Sequence, residues 1–161
     1  MHAIQISRKT KKMRLIQLVL VALMLMSPVA AWGGPAEDAN AVVDRFSAAY
    51  TSNDPEAVAK LYTKDAILLG TVSPIISIGT EAIEKYFSMI KGSGNKNSIQ
   101  ERHTIVIDKS AVLVTGFYEF TRMVDGNPTP SPSRFTMLIV KRDGKWLIAH
   151  HHSSPHVQPK S

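Results

Sequence analysis

The sequence has no cysteine. That excludes disulfide staples, thiol catalysis, cysteine-ligated zinc and a lipid anchor on an N-terminal cysteine, so stability has to come from a packed core. The apolar run from Leu15 to Met26 falls short of the ~20 residues a helix needs to cross the hydrocarbon core of a bilayer. No Asn-x-Ser/Thr acceptor free of proline occurs. A surplus of positive charge is also missing from most of the chain. Arg8, Lys9, Lys11, Lys12 and Arg14 supply most of the formal charge of +6; without them, 14 basic residues stand against 13 acidic ones. No stripe of Lys and Arg with interleaved aromatics remains, so a nucleic-acid partner is excluded.

The basic start, the short apolar run, Pro28 and the small residues Val29-Ala30-Ala31 form the three parts of a secretory signal peptide. Residues 1–31 are expected to be removed near Ala31, with translation beginning at Met1 or Met13. The leader has no Arg-Arg pair, so a bacterial general-secretion route to the periplasm or the medium is expected, with no membrane attachment after cleavage. Residues 37–155 are then one domain and 156–161 a tail. Roughly 125 residues are enough to bury one hydrophobic core.

Ala39, Val42, Val43, Phe46 and Tyr50 recur at the spacing of one buried helical face. Asp54-Pro55-Glu56 marks the start of a second, short helix. Thr80 is expected to cap a third, carrying Ile83, Tyr86, Phe87 and Ile90 as far as Gly92. The period then changes to two. Strands are expected over 99–107, 111–123, 134–141 and 145–152, the last two joined by Asp143-Gly144, a strong hairpin signal. Pro128, Pro130 and Pro132 lie in 125–133, which reads as a long extended connection, with a pocket lid as the functional alternative. Helices followed by an antiparallel meander imply an α+β domain with the helices on one face of a curling sheet and a pocket between them.

On the fourth strand, alternation puts His150 and His152 on the face of Trp146 and Ile148, with His151 on the other. His150 and His152 would chelate a metal only if His103 or Glu119 supplied a third ligand. No His-Glu-x-x-His or comparable motif backs that, so no metal and no cofactor is expected. Glu119 lies between Tyr118 and Phe120. It is a candidate base if unpaired and a structural group if Arg134 clamps it. Glu101 reads as a solvated edge residue. Tyr50, Tyr62, Tyr86 and Phe87 read first as core, with Tyr62 the one most apt to reach a ligand. Ser153 and Ser154 have no Gly-x-Ser-x-Gly elbow around them, which argues against a hydrolase.

The stretches AAYTSNDPEAVAKLYTKDAILLG (48–70), RHTIVI (102–107) and SRFTMLIVKRDGKWLIAHHHSS (133–154) resemble the nuclear transport factor 2-like, or SnoaL-like, superfamily. They are most similar to its SgcJ/EcaC group and to the association domain of calcium/calmodulin-dependent kinase II. The resemblance implies a cone-shaped, cystatin-like α+β fold, a homodimer or larger homo-oligomer, and a pocket between sheet and helices. It implies isomerase, cyclase or dehydratase chemistry, small-molecule binding, or assembly alone, because one fold hosts them all. It also implies a pocket role for His103, and Arg134 matches an arginine of the SgcJ/EcaC group, whereas two arginines of the kinase domain's pocket are replaced by Glu119 and Ser153. The expectation is an exported, dimeric domain that binds an unidentified small molecule through Tyr62, His103, Glu119, Arg134, His150 and His152. The alternatives are proton-transfer catalysis by His103 or Glu119, and an oligomerisation module without a ligand.

Overall fold

The computed structural model describes residues 33–157. The expected signal peptide and the last four residues lie outside them. Pro35–Thr51 forms helix α1, which buries Ala39, Val42, Val43, Phe46 and Tyr50, the five residues whose spacing marks it in the sequence. Asn53 adopts positive φ, and the side chain of Asp54 accepts from the amide of Ala57 to cap α2, Pro55–Ala59. Strand β1, Tyr62–Leu69, and the short β2, Ile76–Ile78, precede α3, Gly79–Phe87. Helix α3 begins one residue before Thr80, with no side-chain cap, and runs into a 3₁₀ turn over Ser88–Ile90. Four long strands follow: β3, Lys96–Asp108; β4, Ala111–Val124; β5, Asn127–Arg142; and β6, Lys145–Pro155.

The six strands form one curved, unclosed sheet in the order β2-β1-β6-β5-β4-β3. The four long strands are the expected antiparallel meander, but β1 pairs with β6 in parallel, so the sheet is mixed. The helices cover one face. Burying side chains such as Val42, Val43 and Phe46 stabilises by roughly 1.5–3 kcal/mol each, whereas the exposed Lys60–Glu56 pair is screened by solvent and adds little. The core therefore sets where α1 lies, and polar ties then fix its angle along β3. Arg102 pairs with Asp44, Thr104 donates to Asn40, and Ser47 and Thr51 donate to the carbonyl of Asn97. At the other end Trp146 Nε1 donates to Asp38 in the first turn of α1.

Residues 125–133 are not a loop. Asp125 and Gly126, both at positive φ, make a two-residue turn, and β5 continues straight from Asn127. The three prolines fit because hydrogen-bonding direction alternates along a strand. The carbonyl of Pro132 faces away from β4 and accepts from His156, so the nitrogens of Pro132, Pro130 and Pro128 all face that same outer side, beyond the end of β6. No ladder donor toward β4 is lost.

Two bulges decide what each face of the sheet carries. In β3, Ile99 pairs with Tyr118 and Glu101 with Phe117, leaving Gln100 unpaired. In β6, Ile148 pairs with Ile139 and His150 with Leu138, leaving Ala149 unpaired. Where β3 slips, the backbone of Glu101 and Arg102 closes onto Gly116 so tightly that a Cβ there would run into the Glu101 carbonyl. We therefore predict that Gly116→Ala lowers unfolding stability by about 1–3 kcal/mol, the cost of overpacking against backbone. A urea midpoint within error of wild type would show that β3 can step aside.

Candidate functional site

Because Ala149 is an extra residue, alternation resumes one position late. Trp146, Ile148, His151 and Ser153 face the helices, and His150 and His152 face outward. This reverses the assignment made from strict alternation. His151 is 1% exposed, with the Phe46 ring edge-on to it at 5.2 Å. Its Nδ1 lies 2.7 Å from the Tyr62 hydroxyl and its Nε2 3.3 Å from that of Tyr118. The Tyr118 proton is directed at Ser153 Oγ, and Ser153 in turn adjoins Thr71 Oγ1. These contacts select a tautomer. Since Tyr118 spends its proton on Ser153, Nε2 must carry the hydrogen given to Tyr118, and Nδ1 must accept from Tyr62.

All five groups are held neutral. Burial pushes the His151 pKa down to about 3, assisted by His150 and His152. Burial likewise raises the Tyr62 and Tyr118 hydroxyls above the ordinary phenol range, for Tyr118 against the opposing pull of the Ser153 hydrogen bond. The site therefore offers oriented hydroxyls rather than charge. It adjoins a void of about 10 Å³ walled by Phe46, Leu68, Gly70, Tyr86, Phe87 and Phe120 as well as by the polar groups. Thr71, Tyr86, Phe87 and Phe120 also wall a crevice of about 60 Å³ that reaches Tyr50, Met89, Asn95, Arg122 and Ser131.

Of the six residues expected to bind a ligand, Tyr62 alone is buried on this side of the sheet. The others lie on the outer face of the sheet. One rung there runs Glu101–Phe117–Arg134–Ser154, and the next runs His103–Thr115–Thr136–His152. Together they border a cleft of about 310 Å³. His103 Nε2 sits 2.8 Å from Glu101, both well exposed, and Arg134 donates to the carbonyl of Pro155. Glu119 is on the same face, opposite Ser98 and Pro132, and is half-buried; among the described residues it has no ion pair with Arg134. His103 and His152 are three strand spacings apart, roughly 14 Å, too far to share an ion. Among the described residues no group of three or more His, Asp or Glu is arranged to hold a metal. His150 falls in a third rung, Ile105–Leu113–Leu138–His150–Ile67–Ile78, which is apolar across almost all six strands.

A hollow of about 550 Å³ lies between α2 and α3, but its walls are long polar side chains of both signs, among them Glu56, already paired with Lys60. It is a solvated groove. The interior residues that sequence reading overlooked are His151, Tyr118, Ser153 and Thr71. Tyr118, a hydroxyl among the core positions of β4, was the one legible signal among them.

The SnoaL-like domain family model matches residues 39–158. A protein from Xanthomonas campestris, assigned as a calcium/calmodulin-dependent protein kinase II association domain, is 35% identical with a TM-score of 0.73, over 80% of this chain and 93% of that one. A ketosteroid isomerase-like protein from Erwinia carotovora atroseptica is 20% identical with a TM-score of 0.64, over 76% and 97%. An NTF2-like protein with a cystatin-like fold from Novosphingobium aromaticivorans is 15% identical with the same TM-score, over 74% and 80%. No curated protein matches significantly.

The depressed pKa of His151 has a signed consequence. Between the ordinary value of 6.5 and about 3 the unfolded chain binds a proton here that the folded chain refuses, so stability falls as pH drops through that window. The slope contributed by this one residue should approach about 1.4 kcal/mol per pH unit. Urea midpoints at pH 7 and pH 4.5 should differ far more in wild type than in His151→Gln. Equal differences would mean that His151 is protonated in the folded protein.

Proposed function

The chain belongs to the SnoaL-like domain family, with the nuclear transport factor 2-like, cystatin-like fold, and from that premise we propose that it is an exported, dimeric domain that binds a small uncharged molecule in its inner crevice. The observation that carries this reading is the file of neutral groups from Tyr62 through His151, Tyr118 and Ser153 to Thr71. A hydrocarbon core needs no such file, and burying an unsatisfied polar group costs about 1–3 kcal/mol. The file ends at the wall shared by the void and the crevice, where the last hydroxyls are within reach of a ligand oxygen.

Binding is favoured over catalysis by a magnitude. A general base works best with a pKa near the working pH, and a histidine at about 3 is several units too weak. His103 and Glu119, the bases expected from the sequence, face away from this space. The volumes limit the ligand to a few heavy atoms unless a wall moves.

The proposed dimer rests on the third outer rung. A sheet face left open to water normally carries polar side chains, yet here Ile67, Ile78 and Ile105 are 39%, 64% and 57% exposed beside Leu113 and Leu138. A second copy of the same face would cover them isologously. The proposed export rests on the basic, apolar and small-residue parts of residues 1–31.

Native mass spectrometry of the protein recovered from the exported fraction of its host tests all three parts. The expected species is a dimer beginning near Trp32 that carries a small molecule. Ser153→Ala should lose the molecule and keep the dimer, and Leu138→Arg should give a monomer. An empty protein, or retention unchanged by Ser153→Ala, would overturn the binding reading, and a wild-type monomer would overturn the dimer.

A further inference from the structure

Tyr86, in the last turn of α3, lines both the 10 Å³ void and the 60 Å³ crevice, together with Thr71, Phe87 and Phe120. Its ring lies flat on Gly70, where a Cβ would meet three of its atoms, Cζ, Oη and Cε2, closer than real Cβ contacts allow. The ring of Phe87 meets it edge-on at 4.9 Å. Burial raises the pKa of its hydroxyl, and the backbone of Val72 and Thr71 opposes that rise. The side chain is half-buried at the mouth of the crevice, on a helix that ends one residue later. Such a ring needs only a change of rotamer to leave. The berth it would vacate has a bare glycine floor, aromatic walls, the backbone of Thr71 and Val72 beside it, and the Ser153–Thr71 hydroxyls at its inner end.

We propose that Tyr86 is a displaceable occupant of the ligand site, and that the ligand is a flat, uncharged ring bearing an oxygen that takes the place of the Tyr86 hydroxyl beside the Thr71 and Val72 backbone, a phenol or aryl ketone in class. This rests on the reading of the inner crevice as the binding site and specifies what it takes. The berth already holds a phenol, the protein's own. Removing Tyr86 takes away one of the walls the two spaces share and adds the volume of its ring, which brings the site from water-sized to ring-sized. A carboxylate is disfavoured because the file at the inner end is neutral and desolvated. A saturated ring is disfavoured by the flat contact on Gly70.

The probe is phenol, with cyclohexanol and benzoate as comparators, measured by calorimetry and by tyrosine-ring NMR. With four tyrosines in the chain, the Tyr86 signal is assigned from Tyr86→Phe. In wild type, phenol should shift the Tyr86 ring toward its solvent-exposed position, and cyclohexanol should not. Tyr86→Ala should bind phenol at least tenfold more tightly than wild type, with less than threefold change for cyclohexanol and benzoate. Tyr86→Phe, which keeps the ring and gives up the oxygen contact, should fall between. Gly70→Ala in the Tyr86→Ala background fills the floor and should return phenol affinity to the wild-type level or below.

A gain that survives Gly70→Ala, an equal gain for all three probes, or no gain in Tyr86→Ala would overturn the proposal. If the gain is absent while Ser153→Ala still strips a retained molecule from the host protein, the crevice binds something other than a ring. If Ser153→Ala also changes nothing, the binding reading itself has failed.

Discussion

An unpaired Ala149 in β6 governs which histidine enters the protein. A strand presents alternate residues to alternate faces, so a single unpaired residue inverts everything downstream of it. Upstream, Trp146 and Ile148 pack under α1; downstream, His151 and Ser153 take over that face, and His150 and His152 are turned out. The bulge at Gln100 does the same in β3, keeping Ile99 inside while Glu101 and His103 go out. Without these two slips the interior would hold His150 and His152, and the Tyr62–His151–Tyr118 file would not exist.

The file is expensive to bury and therefore informative. His151 loses its hydration almost completely and is compensated on both ring nitrogens by tyrosine hydroxyls, so it remains neutral and in one tautomer. Desolvation outweighs any gain from charge, so the same surroundings that orient these groups also disarm them as acids or bases. The void and the crevice beside the file share the rings of Tyr86, Phe87 and Phe120 in their walls. The outer face shows the opposite arrangement, with Glu101, Arg134, His103 and His152 on two rungs beside a largely apolar one.

Much of the fold was legible where local rules act alone. The five apolar residues of α1, the Asp54 cap and the Asp143-Gly144 turn each follow from spacing or from one residue's conformational preference. The parallel pairing of β1 with β6 was not legible, because it joins segments some eighty residues apart and leaves no local mark. Residues 125–133 were misread because proline is a strand breaker only when its missing N–H faces a partner. At the candidate site, Tyr62 was recognised because a tyrosine among core positions has a hydroxyl to satisfy. His151 was missed because no residue type announces a bulge: Ile148-Ala149-His150 looks like any regular strand.

The projecting end of the β4–β5 hairpin follows from those same prolines. Along Pro128 and Pro130 the margin beyond β6 offers carbonyls but no amide hydrogens, so an incoming strand would find only half of the bonds it needs. A long bare margin is ordinarily an invitation to runaway stacking, chain upon chain. Here it is a terminus, because this stretch of rim lacks the donors that would let the sheet grow past it.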